Sequence, residues 1–161
     1  MRHAALGALC WTAAAAVLGL GCSSPPPPAD SFTDVYTKVL APNCTNVYCH
    51  INGANVKYFG GLDLSNQVIA YYSLVDHLLE GPSCSDASLG RRVVPYHPEK
   101  SIMYLKVSET NPPCGVQMPA DPYAEWPNGT TNPETVFSGN PLPADQQQLI
   151  YNWIKDGAQN N

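Results

Sequence analysis

Asp30-Ser31-Phe32-Thr33-Asp34-Val35-Tyr36-Thr37-Lys38-Val39-Leu40-Ala41-Pro42-Asn43-Cys44-Thr45-Asn46-Val47-Tyr48-Cys49-His50 runs an amphipathic segment directly into two cysteines and a histidine. Asp30 and Ser31 are the polar residues that start helices, since a short side-chain oxygen can take an orphan backbone N–H. Phe32, Val35, Tyr36, Val39 and Leu40 recur at helical spacing, which predicts one apolar helix face. Pro42 lacks a backbone N–H and is expected to end that helix. The stretch that follows has the form C-x-x-x-x-C-H, two residues longer than the C-x-x-C-H of covalent haem attachment. Read from spacing alone it has three chemistries. Two thiols can add to haem vinyl groups, with the adjacent imidazole under the iron; two extra residues can bulge outward without moving Cys49-His50. The pair can close a disulfide, leaving His50 an ordinary loop histidine. Cys44, Cys49 and His50 can also supply part of a zinc site, completed by Cys84, Cys114 or a further histidine.

Upstream, Met1-Arg2-His3 is basic, Ala4 to Leu20 is almost wholly apolar, and Gly19-Leu20-Gly21-Cys22 closes the run. This is the layout of an export signal. A cysteine directly after the small residue predicts a lipoprotein signal over 1–21, with Cys22 as the acylated first residue. Gly19 stands where leucine is usual, so a plain signal peptide and an uncleaved anchor are the other readings. Cys10 leaves with the signal. Ser23 after the cysteine points to the periplasmic face of the outer membrane. Residues 22–30 form a proline-rich linker, and consecutive prolines favour a stiff extended spacer. The folded domain is expected over 31–161.

Downstream, Ser65 is expected to cap a helix through about Leu79, with Val68, Ile69, Tyr72 and Val75 on one side. His97-Pro98-Glu99 opens a short helix from Lys100 to Val107, because proline suits a first turn. Residues 109–142 are dense in Pro, Gly, Asn and Thr and are expected to form a loop; Asn128-Gly129-Thr130 is read as a turn. Pro143-Ala144-Asp145 starts a last helix with Leu149, Ile150, Trp153 and Ile154 on its apolar face, and Gly157 stops it. No alternating pattern persists. The class is mainly α, with three to four short helices and long loops.

The 161 residues carry 8 basic and 13 acidic side chains, a net charge of −5, with only 13% charged. No basic patch for phosphates exists, so no nucleic-acid partner is expected. Asp63 and Glu80 lack a partner for acid–base work, no Ser/His/Asp set is visible, and no enzyme activity is expected.

The domain resembles the cytochrome c-like lipoproteins of Gram-negative bacteria from Phe32 to Ala158. The resemblance rests on the helix leading into Cys44–His50, Gly60-Gly61-Leu62-Asp63-Leu64-Ser65, Arg92-Val93-Val94-Pro95, Ser101-Ile102-Met103-Tyr104-Leu105-Lys106, Cys114-Gly115-Val116-Gln117-Met118-Pro119 and Trp153-Ile154-Lys155-Asp156-Gly157-Ala158. It departs from the family in the longer cysteine spacing and the long loop 120–142. The resemblance implies a small cytochrome c-like domain wrapped around one covalent haem c on Cys44 and Cys49. It implies His50 as an axial iron ligand and electron exchange with a redox partner protein.

For the other axial position, Met118 in its proline-rich loop is the first candidate, since thioether sulfur favours reduced iron. Met103 is expected in the core as a gap-filler. His97, before Pro98, is expected to be exposed, and His77 lies near a helix end. In an exported domain the remaining Cys84 and Cys114 are expected to form a disulfide. Pairing of either with Cys44 or Cys49 would exclude haem attachment. Without haem, the chain reads as a disulfide-stabilised structural or binding lipoprotein.

Overall fold

The computed structural model describes residues 30–45, 49–51, 61–80, 84, 86, 88, 90–120 and 141–161. The expected signal over 1–21, the expected acylation site Cys22, nearly all of the expected linker and the loop residues 121–140, with the expected turn at 128–130, lie outside the described residues. The described part is mainly helical and, among the described residues, contains no strand, only single bridges. It contains no helix long and apolar enough to cross a membrane.

The first helical stretch is built from α1 (Phe32–Val35), a π-helical turn (Tyr36–Leu40) and α2 (Ala41–Cys44), end to end. Ser31 caps it as expected: its Oγ accepts from Asp34 N–H at 3.0 Å. Three further donors of the first turn are satisfied from the other end of the chain. Phe32 N–H donates to Asn161 Oδ1, and Thr33 donates through its N–H and Oγ1 to the Asn161 carbonyl, all at 2.9–3.0 Å. A helix start leaves its first N–H groups without intrahelical partners. Ser31→Ala is expected to cost about 1 kcal/mol, read as a lowered urea midpoint at unchanged slope.

Pro42 does not end this helix; the chain stays helical to Cys44. The π turn explains the difference. Ala41 N–H bonds back to the Tyr36 carbonyl, five residues earlier, so the backbone is wider here than in an α-helix. The proline then stands in the opening turn of α2, a position it tolerates. The Lys38 carbonyl, which residue 42 would normally bond, accepts instead from Gln146 Nε2 at 3.4 Å.

α3 (Gln67–Leu74) is shorter than its sequence suggests, and its cap is Asn66 rather than Ser65; Asn66 Oδ1 accepts from Ile69 N–H at 3.0 Å. It stops at Leu74 because the next residues pair elsewhere. Val75 bridges Val93, Leu78 bridges Arg91, and Arg92 Nη1 donates to the Ser73 carbonyl at 2.6 Å. The buried side also differs. Ala70 and Leu74 face the core, whereas Val68, Ile69 and Tyr72 are 62%, 38% and 67% exposed.

A single 3-10 turn (Pro98–Lys100) leads into α4 (Ile102–Ser108), close to the expected helix. α5 (Ala144–Lys155) buries Ile150, Trp153 and Ile154. Gly157 ends it at φ +105°, and Ala158 N–H closes onto the Trp153 carbonyl at 2.8 Å. A side chain at Gly157 would meet the Tyr96 ring at 2.8 Å, so glycine is required twice over.

The core centres on Phe32, whose ring lies 5.1 Å from Trp153 and 5.2 Å edge-on from Tyr71. These aromatics join α1, α3 and α5. Trp153 is 1% exposed and donates Nε1–H to the Gln159 carbonyl at 2.9 Å, so it belongs to helix–helix packing.

Candidate functional site around Cys44, Cys49 and His50

α2 delivers Cys44 at its last residue, packed against the core. The chain then turns back on itself: His50 N–H donates to the Cys44 carbonyl at 3.0 Å. That bond closes the longer C-x4-C-H loop and returns His50 to the end of α2. Residues 46–48 of the loop lie outside the described residues. On the other side, Leu64 N–H donates to the His50 carbonyl at 2.8 Å, which ties the His50 backbone to the Gly61–Leu64 segment.

The four cysteines of the domain divide cleanly. Cys84 and Cys114 form a disulfide, S–S 2.03 Å and Cα–Cα 5.3 Å, as expected. Cys44 and Cys49 are both free thiols. The described residues assemble no group of three His, Cys, Asp or Glu side chains able to hold a metal ion, so they do not build the zinc site considered from the sequence.

Met118 packs against the core, as does Met103 in α4. Its loop is laced to α4 at one residue. Met118 N–H donates to the Lys106 carbonyl at 2.7 Å, and Lys106 Nζ donates to the Val116 carbonyl at 3.1 Å. The disulfide at Cys114 anchors the start of the same loop. The other two histidines are placed differently. His97 is exposed beside Glu99 at 3.0 Å, and His77 Nδ1 lies 3.0 Å from the Leu78 carbonyl.

Electrostatics keep the site neutral at its centre. Burial pushes the Cys44 thiol up to about 12, helped by nearby Cys49, and burial also raises Cys49. Burial lowers His50 to about 4 against the opposing Leu62 hydrogen bond, and the charges of Lys106 and Arg92 lower it further. Lys106 is itself lowered to about 8 by burial. Arg92 is buried, bonded to Ser73 and 3.7 Å from Glu80; burial lowers its pKa and Glu80 opposes this.

Sequence reasoning named the two thiols, His50 and Met118 but gave no role to Leu62, Arg92 or Lys106. A lysine inside the apolar run Ile102–Val107 was the available signal, because a cation there is drawn into a low-dielectric setting.

These shifts predict a pH profile. Between about 8 and 10.5 the unfolded chain still holds the Lys106 proton that the folded chain has released, so stability rises with pH there. The thiols act oppositely. Above about 9 the unfolded chain loses the Cys44 proton first, so stability falls from pH 9 towards 12. Urea titrations across this range are expected to show a maximum near pH 9 in the free-thiol protein. The fall above pH 9 is expected to shrink once Cys44 and Cys49 are alkylated and no longer titrate. A decline of equal steepness in both forms would show that other groups set it.

Comparison with known protein families, curated proteins and solved structures finds no match to this chain.

Proposed function

We propose that this chain is an exported, lipid-anchored, single-haem c-type cytochrome-like protein that carries electrons and is not an enzyme. One observation carries the reading: two of the four domain cysteines are joined as Cys84–Cys114, while the pair beside His50 stays as thiols. Thioether attachment consumes two free thiols, and the imidazole that binds iron must be neutral. Cys44 and Cys49 meet the first condition and His50, with its lowered pKa, the second.

The residues around the site fit a covalent haem in two further ways. The Met118 loop, held by Lys106 and the disulfide, offers a thioether from a separate element. Arg92 and Lys106 place positive charge near His50, which suits the anionic edge of a porphyrin. A haem bound here supplies one-electron transfer, and its exchange partner is a redox protein. The anchor at Cys22 puts the domain at the periplasmic face of the outer membrane.

The competing reading is a haem-free, disulfide-stabilised structural or binding lipoprotein. Its support is the core itself, where Phe32 packs directly against both Tyr71 and Trp153.

Expression in a host with cytochrome c maturation machinery separates the two. The proposed protein keeps its haem through acid–acetone extraction, because thioethers survive acid and an axial bond alone does not. Its intact mass rises by one haem. A colourless product with Cys44 bonded to Cys49 would establish the haem-free reading instead.

A further inference from the structure

The open face of α3 is left unexplained by electron transfer. Ser65 to Val75 contains no charged residue at all. Val68, Ile69 and Tyr72 stand at i, i+1 and i+4, on one side of the helix, and are 62%, 38% and 67% exposed. Ala70 and Leu74 already fill the core side. A solvated helix face ordinarily carries charge, and a contiguous apolar face marks a contact surface.

We infer that the face formed by Val68, Ile69 and Tyr72 rests on the lipid surface to which Cys22 tethers the chain. The inference depends on the lipid-anchor reading of Cys22. It follows from where α3 lies. Gln67 Nε2 donates to Thr33 Oγ1 at 2.9 Å, and the Tyr71 ring stacks edge-on against Phe32 at 5.2 Å. α3 is therefore packed on the first turn of α1, the point at which the linker enters the domain. Cys22 and Asp30 are eight residues apart. Even as extended polyproline they span only about 25 Å at ~3.1 Å per residue. The acyl chains thus hold α3 within reach of the bilayer.

Tethering at this length also sets the strength the contact needs. A linked site meets its target at a high effective concentration, so a small apolar face suffices. The chemistry matches a lipid interface. Tyr72 carries an apolar ring with a hydroxyl for the headgroup layer, the residue type enriched at membrane boundaries. α3 offers no cation, so the contact is apolar and independent of anionic lipid and of salt. A freely diffusing protein gains nothing from the linker, and a second anchored copy gains only confinement to the surface, whereas the bilayer is always within the linker's reach.

The test uses the full acylated protein in phosphatidylethanolamine–phosphatidylglycerol vesicles, with a photoreactive p-benzoylphenylalanine in place of Tyr72. A matched protein carries the probe in place of Ala144, which is exposed at the opposite end of α5 from the linker contact at Asn152. Irradiation is expected to give lipid adducts at position 72 and not at 144. They persist at high salt and are lost when Val68→Asp and Ile69→Asp are introduced together. With acyl chains on Cys22 shown by mass spectrometry, cross-links to another copy or another protein, or equal lipid labelling at both positions, overturn the docking and leave the anchor standing. Absence of acyl chains on Cys22 overturns the anchor, and the docking with it.

Discussion

Met118→Ala is expected to leave the haem attached and to lower its reduction potential. On the proposed reading attachment would depend on Cys44 and Cys49, which the substitution does not touch. The potential would then depend on the second ligand beside His50, and axial ligands move haem potentials over a range of about 0.8 V. Thioether sulfur favours reduced iron, so its removal displaces the potential downward by a sizeable part of that range. The change is specific because the loop survives it. The bonds joining Lys106 to Met118 and to Val116 run through backbone atoms at the loop end, and a methyl at position 118 keeps them. His50→Ala provides the contrast, losing ligation on the thioether side and leaving haem that is attached but poorly held. Potentiometric titration of the three proteins decides the assignment. A Met118→Ala protein with unchanged potential and unchanged iron–sulfur absorption would remove Met118 as a ligand.

Cys84→Ser, alone or with Cys114→Ser, is expected to destabilise the domain by roughly 3–4 kcal/mol, the chain-entropy value for a loop of this size. The bridge spans 30 residues of sequence, so without it the unfolded chain regains a large set of conformations. Urea denaturation checks this through the shift in midpoint. The same substitution frees the start of the Met118 loop, whose hydrogen bonds to α4 among the described residues then run through Lys106. In the haem-bound protein, weaker Met118 ligation is expected on top of lower stability. An unchanged midpoint would mean that the loop is already as restricted in the unfolded chain as the bridge makes it.

The helices were legible where a local signal and the core agreed. Ser31 before an apolar stripe, and Ile150, Trp153 and Ile154 before Gly157, each state a cap and a buried face within a few residues. α3 was less legible because its apolar residues point both ways. Val68, Ile69 and Tyr72 have the spacing of a buried face, yet Ala70 and Leu74 take that place. Its early end at Leu74 comes from pairing with residues 91–93, which no local pattern encodes. Pro42 misled for a related reason: a proline stops a regular α-helix, but the π turn before it widens the backbone and Gln146 satisfies the displaced carbonyl.

What the sequence determined by itself is the chemistry available: an apolar N-terminal run ending at a cysteine, two thiols beside a histidine, a methionine in a proline-rich loop and short amphipathic helices. These depend on residue type and near spacing. What only the tertiary structure decided is how those groups are positioned and charged. It left Cys44 and Cys49 as thiols beside the expected Cys84–Cys114 bridge. It brought His50 back to Cys44 across the longer spacing and buried its ring. It placed Lys106 and Arg92 near enough to act on that ring, and it set Asn161 on the first turn of α1. Each of these depends on groups distant in sequence meeting in a low-dielectric interior, where burial and partner geometry, not residue identity, set bonding and protonation.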